Sequence, residues 1–245
     1  MAQANMREVN SKRIDERLEA GLALLRERYK VTECSIDPSF ENPVVAGRPN
    51  HVRRFDIEGV GNLLMMTAKD VEVNQLSSFV LMPYYKNLPL FSTDYVYTDE
   101  KRFFLIEIYD LSVRHDAVYD QGIGSFAAIA EAWSDMPEFP TQPRWYDKIR
   151  PVCIAKAPSC EQDDLSLERF LEALRLFVEM EQATPLLEGA DLTAKWQLNK
   201  DYSDGLIDEG GVSTDMWTAA LGAENVRRFF DEVFFGPACY TPAGK

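Results

Sequence analysis

A single carboxylate, Asp94, lies in a stretch, residues 84–97, that is otherwise dominated by aromatic, aliphatic and hydroxyl side chains. Removing an ionised carboxylate from water without a partner is costly, so such a group keeps its proton to a higher pH. It can then donate a proton to a molecule bound beside it near neutral pH. A structural role is the alternative, because an acid that follows Ser-Thr at the end of an apolar run commonly caps a turn and accepts from nearby backbone N–H groups.

Asp94 closes the motif Leu-Pro-Leu-Phe-Ser-Thr-Asp of residues 88–94, and further segments accompany this motif along the chain. They are residues 52–58, a run at 79–83 ending in proline, Asp-Leu-Ser at 110–112, Trp145, a run from 152 that closes at Pro158, and residues 220–235. In this order the segments resemble the ferredoxin-dependent bilin reductases, from about residue 52 to residue 236.

The resemblance implies an enzyme that reduces a linear tetrapyrrole, biliverdin or a related bilin, and carries no cofactor or metal of its own. Electrons arrive singly from a reduced 2Fe-2S ferredoxin, while the protein supplies protons and orientation to a bilin radical. Asp94 then protonates the bilin, and Glu58 is a second catalytic acid that faces the pocket from a neighbouring strand; for Glu58, a surface acid paired with Arg53 or Arg54 is the alternative. Asp56 lies two residues earlier, so it is expected on the same face of that strand as a substrate-binding group.

Several positions depart from the family pattern. Ser78 stands where the phycocyanobilin-forming branch has a histidine, and Asp56 stands where a second histidine precedes the glutamate. Towards the C terminus, the family's Asn or Asp position falls at Asp208-Glu209-Gly210-Gly211, so either Asp208 or Glu209 is a candidate for that carboxylate; a flexible loop is the alternative. The double bond that is reduced and the number of electrons are left open.

Arginine side chains are candidates for binding anions. Arg144 is the candidate clamp for a bilin propionate, because a planar guanidinium pairs bidentately with a carboxylate. The formal net charge of −14 argues against nucleic acid as a partner. Docking of an acidic ferredoxin would need a local basic patch. Its candidate residues are Arg144, Lys148, Arg150 and Lys156, with Arg53 and Arg54, although a solvated surface is the alternative.

Two other functions stay open at this point. One is a reductase of the same fold that acts on an opened chlorophyll, as red chlorophyll catabolite reductases do. The other is a protein that binds a tetrapyrrole without catalysis, which the departures at Ser78 and Gly210 permit.

Other catalytic patterns are weak in this chain. Its two histidines, His51 and His115, have no Cys or Glu at zinc-ligand spacing. Gly122 and Gly124 formally match a dinucleotide fingerprint, but a glycine loop that leads into a helix is the favoured interpretation. The four scattered cysteines indicate reduced thiols, and the lack of a long apolar run or signal peptide predicts a cytoplasmic protein that does not enter membranes.

The hydrophobic periodicity predicts a sheet bracketed by helices. Helices are expected after Ser11, from Ser125 to Trp133, after a Ser159/Gln162 capping box, and across residues 217–234. Short runs near 54–58, 62–67, 76–82, 90–97, 103–109 and 151–155 predict strands, and their brief connections suit antiparallel pairing. The predicted fold is an α+β, three-layer α/β/α sandwich with a central antiparallel sheet flanked by helices. It is expected to be one domain over residues 1–245, monomeric, with frayed ends at about 1–10 and 237–245.

Overall fold

The computed structural model describes residues 5–71, 74–211 and 214–243. Within this part of the chain, an antiparallel sheet of seven strands forms the middle layer. In spatial order, which follows chain order, the strands are β1 (Val31–Cys34), β4 (His51–Ile57), β5 (Gly61–Ala68), β6 (Gln75–Pro83), β7 (Leu90–Tyr97), β8 (Arg102–Tyr109) and β9 (Val152–Lys156). A separate small hairpin pairs β2 (Val44–Val45) with β3 (Arg48–Pro49).

Helices cover both faces of the sheet. They are α1 (Met6–Arg26), α2 (Pro38–Glu41), α3 (Ala117–Ala132), α4 (Asp163–Ala183), α5 (Gly189–Asp208), α6 (Thr214–Leu221) and α7 (Ala223–Phe229), which continues into a π-helical turn at Phe230–Phe234. Short 3₁₀ turns lie at Trp145–Ile149, Cys160–Gln162 and Pro237–Cys239. None of the described helices is both long and apolar enough to span a membrane.

Alternation along the strands divides the core into two clusters. On β7, Phe91 and Tyr95 pack into the cluster shared with α1, α3 and α4, whereas Leu90 packs into the cluster shared with α5, α6 and α7. Successive strand residues point to opposite faces, so a buried sheet needs apolar residues at nearly every position. All eight residues of β5 are indeed buried. The predicted three-layer α+β sandwich is therefore confirmed.

Helix boundaries depart from the predictions at two positions. Helix α3 starts at Ala117, where the Asp116 side chain accepts from two backbone N–H groups, and Ser125 lies inside the helix and donates to the carbonyl of Gln121. Gly122 and Gly124 are thus helical, and neither belongs to a loop. The predicted helix across 217–234 divides into α6 and α7 at Gly222, whose φ of 81° is a conformation that glycine adopts readily. The Ser159/Gln162 capping box is confirmed.

Two short segments near the ends of the chain are in contact with the rest of the fold. Residues 6–10 belong to α1, where Asn10 is buried. Towards the other end, Tyr240 stacks on Tyr84 with ring centroids 4.3 Å apart, and the Trp196 indole N–H donates to the carbonyl of Pro237 at 2.8 Å. Residues 1–4, 244 and 245 lie outside the described part.

Candidate functional site

A cavity of about 420 Å³ lies between the sheet and the C-terminal helices, on the face of α5, α6 and α7. Sites for small molecules commonly measure roughly 300–1,000 Å³. The floor is made by side chains of β6, β7 and β8, and the opposite wall by α5, α6 and the π-helical turn. Residues 139–150, which connect α3 to β9, close one side. The polar side chains that line the cavity include Ser78, Ser92, Asp94, Glu107, Tyr109, Thr141, Gln142, Arg144, Tyr146, Arg150 and Tyr202.

Asp94 lies on the cavity floor in the interior of β7, directly opposite Ser78 on β6. The Ser78 hydroxyl donates to its Oδ1 at 2.5 Å. Burial raises the pKa of Asp94 to about 6; the hydrogen bond from Ser78 opposes this rise, and the charge of Glu107 adds to it. The structural alternative of a turn or capping residue is wrong, because Asp94 is in a strand and accepts from a side chain. A carboxyl group with this pKa can exchange a proton with a bound molecule near neutral pH.

Glu107 is a second acid on the cavity floor that the sequence analysis missed. It lies on β8 and pairs with the guanidinium of Arg150, which also donates to Asp147 at 2.6 Å. The signal that picked out Asp94 was available here too, since Glu107 lies in the run Phe-Phe-Leu-Ile-Glu-Ile-Tyr of residues 103–109. Its distant partner Arg150 compensates the burial of this carboxylate.

Tyrosines form much of the cavity wall, and sequence analysis did not assign them to the site. The rings of Tyr109 and Tyr202 lie 5.1 Å apart, and Tyr146 packs edge-on against Tyr109 at 5.6 Å. Burial raises the pKa of all three phenols, that of Tyr146 to about 12. They are therefore neutral at physiological pH, so they offer flat apolar surface together with hydroxyl groups.

Three of the predicted site residues lie outside this cavity. Glu58 was expected on a strand that faces the pocket, but β4 ends at Ile57, and Glu58 is exposed in the following turn. Asp56 is on β4, where it accepts from the Tyr240 hydroxyl at 2.6 Å. Asp208 ends α5, pairs with Arg227 at 2.8 Å and has a side chain 63% exposed; the alternative, Glu209, is the C-cap of the same helix. Of the predicted site residues, the cavity brings together Asp94, Ser78 and Arg144.

The residues predicted to form a basic docking patch do not form a continuous exposed surface. Arg150 is turned inwards to Glu107, and its side chain is only 8% exposed. Lys156 is buried and donates to Glu138 at 3.1 Å. Arg54 is buried against Asn62, while Arg53 pairs with Glu19 and Glu33. Of these candidates, Arg144 and Lys148 are exposed.

No group of three or more His, Cys, Asp and Glu side chains is arranged to hold a metal ion among residues 5–71, 74–211 and 214–243. The four cysteines are free thiols.

The fold is shared with a solved bilin-binding protein. The chain is similar to phytochromobilin synthase from tomato, whose crystal structure is in complex with biliverdin, with a TM-score of 0.75. The match covers 92% of this chain and 83% of that chain, at 9% sequence identity. No family model and no curated protein matches the sequence. The likeness at this identity shows the fold alone.

Proposed function

We propose that this protein reduces a linear tetrapyrrole, biliverdin or a related bilin, in the cavity, with Asp94 as the proton donor. The observation that carries the proposal is the Asp94 carboxyl group, which opens into the cavity with a pKa raised to about 6. A protein of the same fold binds biliverdin, which supports a bilin as the occupant. Tyrosine rings along the wall suit a flat conjugated molecule.

In the proposed reaction, each double bond that is reduced takes up two electrons and two protons. Each of two reduced ferredoxins supplies one electron, Asp94 supplies one proton to the bilin, and solvent supplies the other and reprotonates Asp94. The hydroxyl of Ser78 donates to the Asp94 carboxylate after transfer and so stabilises the ionised form. The protein thus orients the bilin and times protonation, whereas the tetrapyrrole itself holds the unpaired electron.

Biliverdin with reduced ferredoxin tests the proposal directly. We expect about one biliverdin to bind per chain with a red-shifted absorption band, because an acid next to the pyrrole nitrogens favours the protonated bilin. Anaerobic addition of reduced ferredoxin should then bleach that band and yield a reduced bilin. Binding without turnover would instead indicate a non-catalytic tetrapyrrole-binding protein. Reduction of an opened chlorophyll but not of biliverdin would indicate an enzyme of the red chlorophyll catabolite reductase type.

Arg144 is the proposed clamp for a bilin propionate. Arg150 also lines the cavity, but its guanidinium already pairs with Glu107 and Asp147. Arg144 lines the cavity and is exposed. Burial raises the pKa of Tyr146, and the positive charge of Arg144 opposes this larger effect. It can therefore meet a carboxylate without breaking a buried ion pair.

Replacing Arg144 should weaken binding only when the ligand carries free propionates. Arg144→Gln is expected to lower the affinity for biliverdin about three- to tenfold, as for loss of a charged hydrogen bond near the surface. Its affinity for biliverdin dimethyl ester should match that of the wild type. Absorbance titrations measure both, and Lys148→Gln, an exposed cation outside the cavity lining, is the control. Equal losses with acid and ester would contradict the clamp.

A further inference from the structure

Glu107 and Asp94 are diagonal neighbours on the cavity floor. In the antiparallel pairing of β7 with β8, Asp94 lies opposite Leu105 and Ser92 lies opposite Glu107. Because strand side chains alternate, Glu107 projects to the same face as Asp94. It lies two residues beyond Leu105, the direct partner of Asp94. Diagonal pairs of this kind are typically about 7–8 Å apart. The two acids are therefore close enough to interact without sharing a hydrogen bond.

The carboxylate of Glu107 is held in place by Arg150. Its side chain is 11% exposed, and it accepts from Arg150, whose own side chain is 8% exposed. The Arg150 guanidinium also donates to Asp147, and it packs over the Tyr146 ring, 5.7 Å from the ring centroid. The two acids on the floor thus have different partners, a guanidinium for Glu107 and the Ser78 hydroxyl for Asp94.

We propose that Glu107 is a positioning residue for the proton donor: its fixed negative charge favours the protonated form of Asp94, and Arg150 keeps that charge in place. The inference rests on the proposed role of Asp94 as donor. The charge of Glu107 is the second effect, after burial, that raises the pKa of Asp94. Without it, Asp94 would lose its proton at a lower pH and would be a poorer donor near neutrality.

The other titratable and charged groups around the cavity floor do not take over the effect of the Glu107 charge on Asp94. They are Tyr109 on β8, Cys153 on β9, Tyr202 on α5, and Arg144, Tyr146, Asp147 and Arg150 in the segment before β9. Burial raises the pKa of the tyrosines and that of Cys153, the latter to about 11, so these groups are uncharged where Asp94 titrates. The charge of Arg150 is balanced by two carboxylates.

The protonation of Asp94 can be followed directly by carbon-13 NMR of labelled carboxyl groups in the bilin-free protein. The signal is assigned by its loss in Asp94→Asn. In Glu107→Gln we expect the midpoint to shift downwards from its wild-type position, so that the protonated fraction of Asp94 at pH 8 falls roughly three- to tenfold. The pH above which bilin reduction slows should move down with it. Glu58→Gln, an exposed acid outside the cavity, should leave the midpoint unchanged.

A second variant separates the proposed effect from unfolding and from the unpaired positive charge that Glu107→Gln leaves on Arg150. Glu107→Gln with Arg150→Gln removes both charges, so a downward shift that persists in this variant is due to the loss of the Glu107 charge and not to an unpaired Arg150. An unchanged or raised midpoint in both variants would overturn the inference, and a drop in melting temperature alone would indicate a structural pair. Because the midpoint is measured without bilin or electron donor, a wild type that fails to reduce bilins overturns only the proposed function.

Discussion

Asp94→Asn is expected to bind biliverdin nearly as tightly as the wild type and to reduce it at least about a hundredfold more slowly. Asparagine keeps the shape of the side chain, and its amide oxygen can still accept from the Ser78 hydroxyl that lies 2.5 Å from Oδ1. It lacks the proton that titrates. Binding by shape and stacking should therefore survive, while the step that needs an acid is lost.

The pH dependence of the wild type provides the internal check on this role. Burial raises the pKa of Asp94 to about 6, and the acid form is the active one. Single-turnover reduction should therefore be fastest below that pH and should fall about tenfold per unit well above it. The residual rate of Asp94→Asn should not follow this curve. Stopped-flow absorbance with pre-reduced ferredoxin measures both profiles.

Asp208→Asn is the matched control, because it makes the same chemical change at an ion-paired position outside the cavity. We expect its binding, rate and pH profile to match those of the wild type. If Asp94→Asn reduced biliverdin at the wild-type rate, Asp94 would not be the donor.

The sequence was sufficient to predict the sheet because its strands are buried on both faces and bounded by short polar turns. β6 and β7 lie where apolar runs were recognised, and their register brings Ser78 opposite Asp94. The edge strand β1 was missed, since Val-Thr-Glu-Cys has no buried residue and no apolar run. Local pattern thus indicated the strands whose own side chains form the core, and failed for an edge strand whose side chains are exposed or only half-buried.

Helix α5 was missed for a different physical reason. Its buried face includes Lys195, Asn199 and Ser203 at four-residue spacing, so it shows no apolar stripe of the usual kind. Lys195 donates to the carbonyls of Leu88 and Leu111, both at 2.7 Å, and Asn199 donates to that of Pro83. These acceptors lie more than eighty residues away in the chain. Tyr202 was missed as a cavity residue because it belongs to this helix.

The predicted site shows the same limit. Motif order located Asp94 and Ser78, and the chemistry of the guanidinium pointed to Arg144; the fold brings all three to one cavity. Motif order misplaced Glu58, because the end of β4 depends on where the chain turns; Glu58 lies in that turn and donates its backbone N–H to the carbonyl of Lys30, just before β1. Arg150 was interpreted as a surface cation, whereas its acceptor Glu107 lies 43 positions away in the sequence. Charge pairing over such separations requires the folded geometry.

Asp163→Asn is expected to lower the free energy of unfolding by about 3–5 kcal/mol, the typical cost of breaking a buried ion pair. Asp163 begins α4 and binds Arg102, which is fully buried at the start of β8, through two hydrogen bonds of 2.7 and 2.9 Å. The guanidinium of Arg102 also donates to the carbonyl of Thr98 at 2.7 Å. The substitution removes the charge that compensates this buried cation, at the position where the start of α4 contacts the start of β8.

Asp164→Asn provides a control one residue away. Its side chain is 83% exposed and pairs with Arg13 at 2.7 Å, so the same substitution should cost no more than about 0.5 kcal/mol. Urea denaturation followed by tryptophan fluorescence measures both variants. Adding Arg102→Gln to Asp163→Asn should cost much less than the sum of the two single changes, because the unpaired buried cation is then absent. Equal costs for Asp163→Asn and Asp164→Asn would mean that water reaches Arg102 and that this pair does not anchor α4 to the sheet.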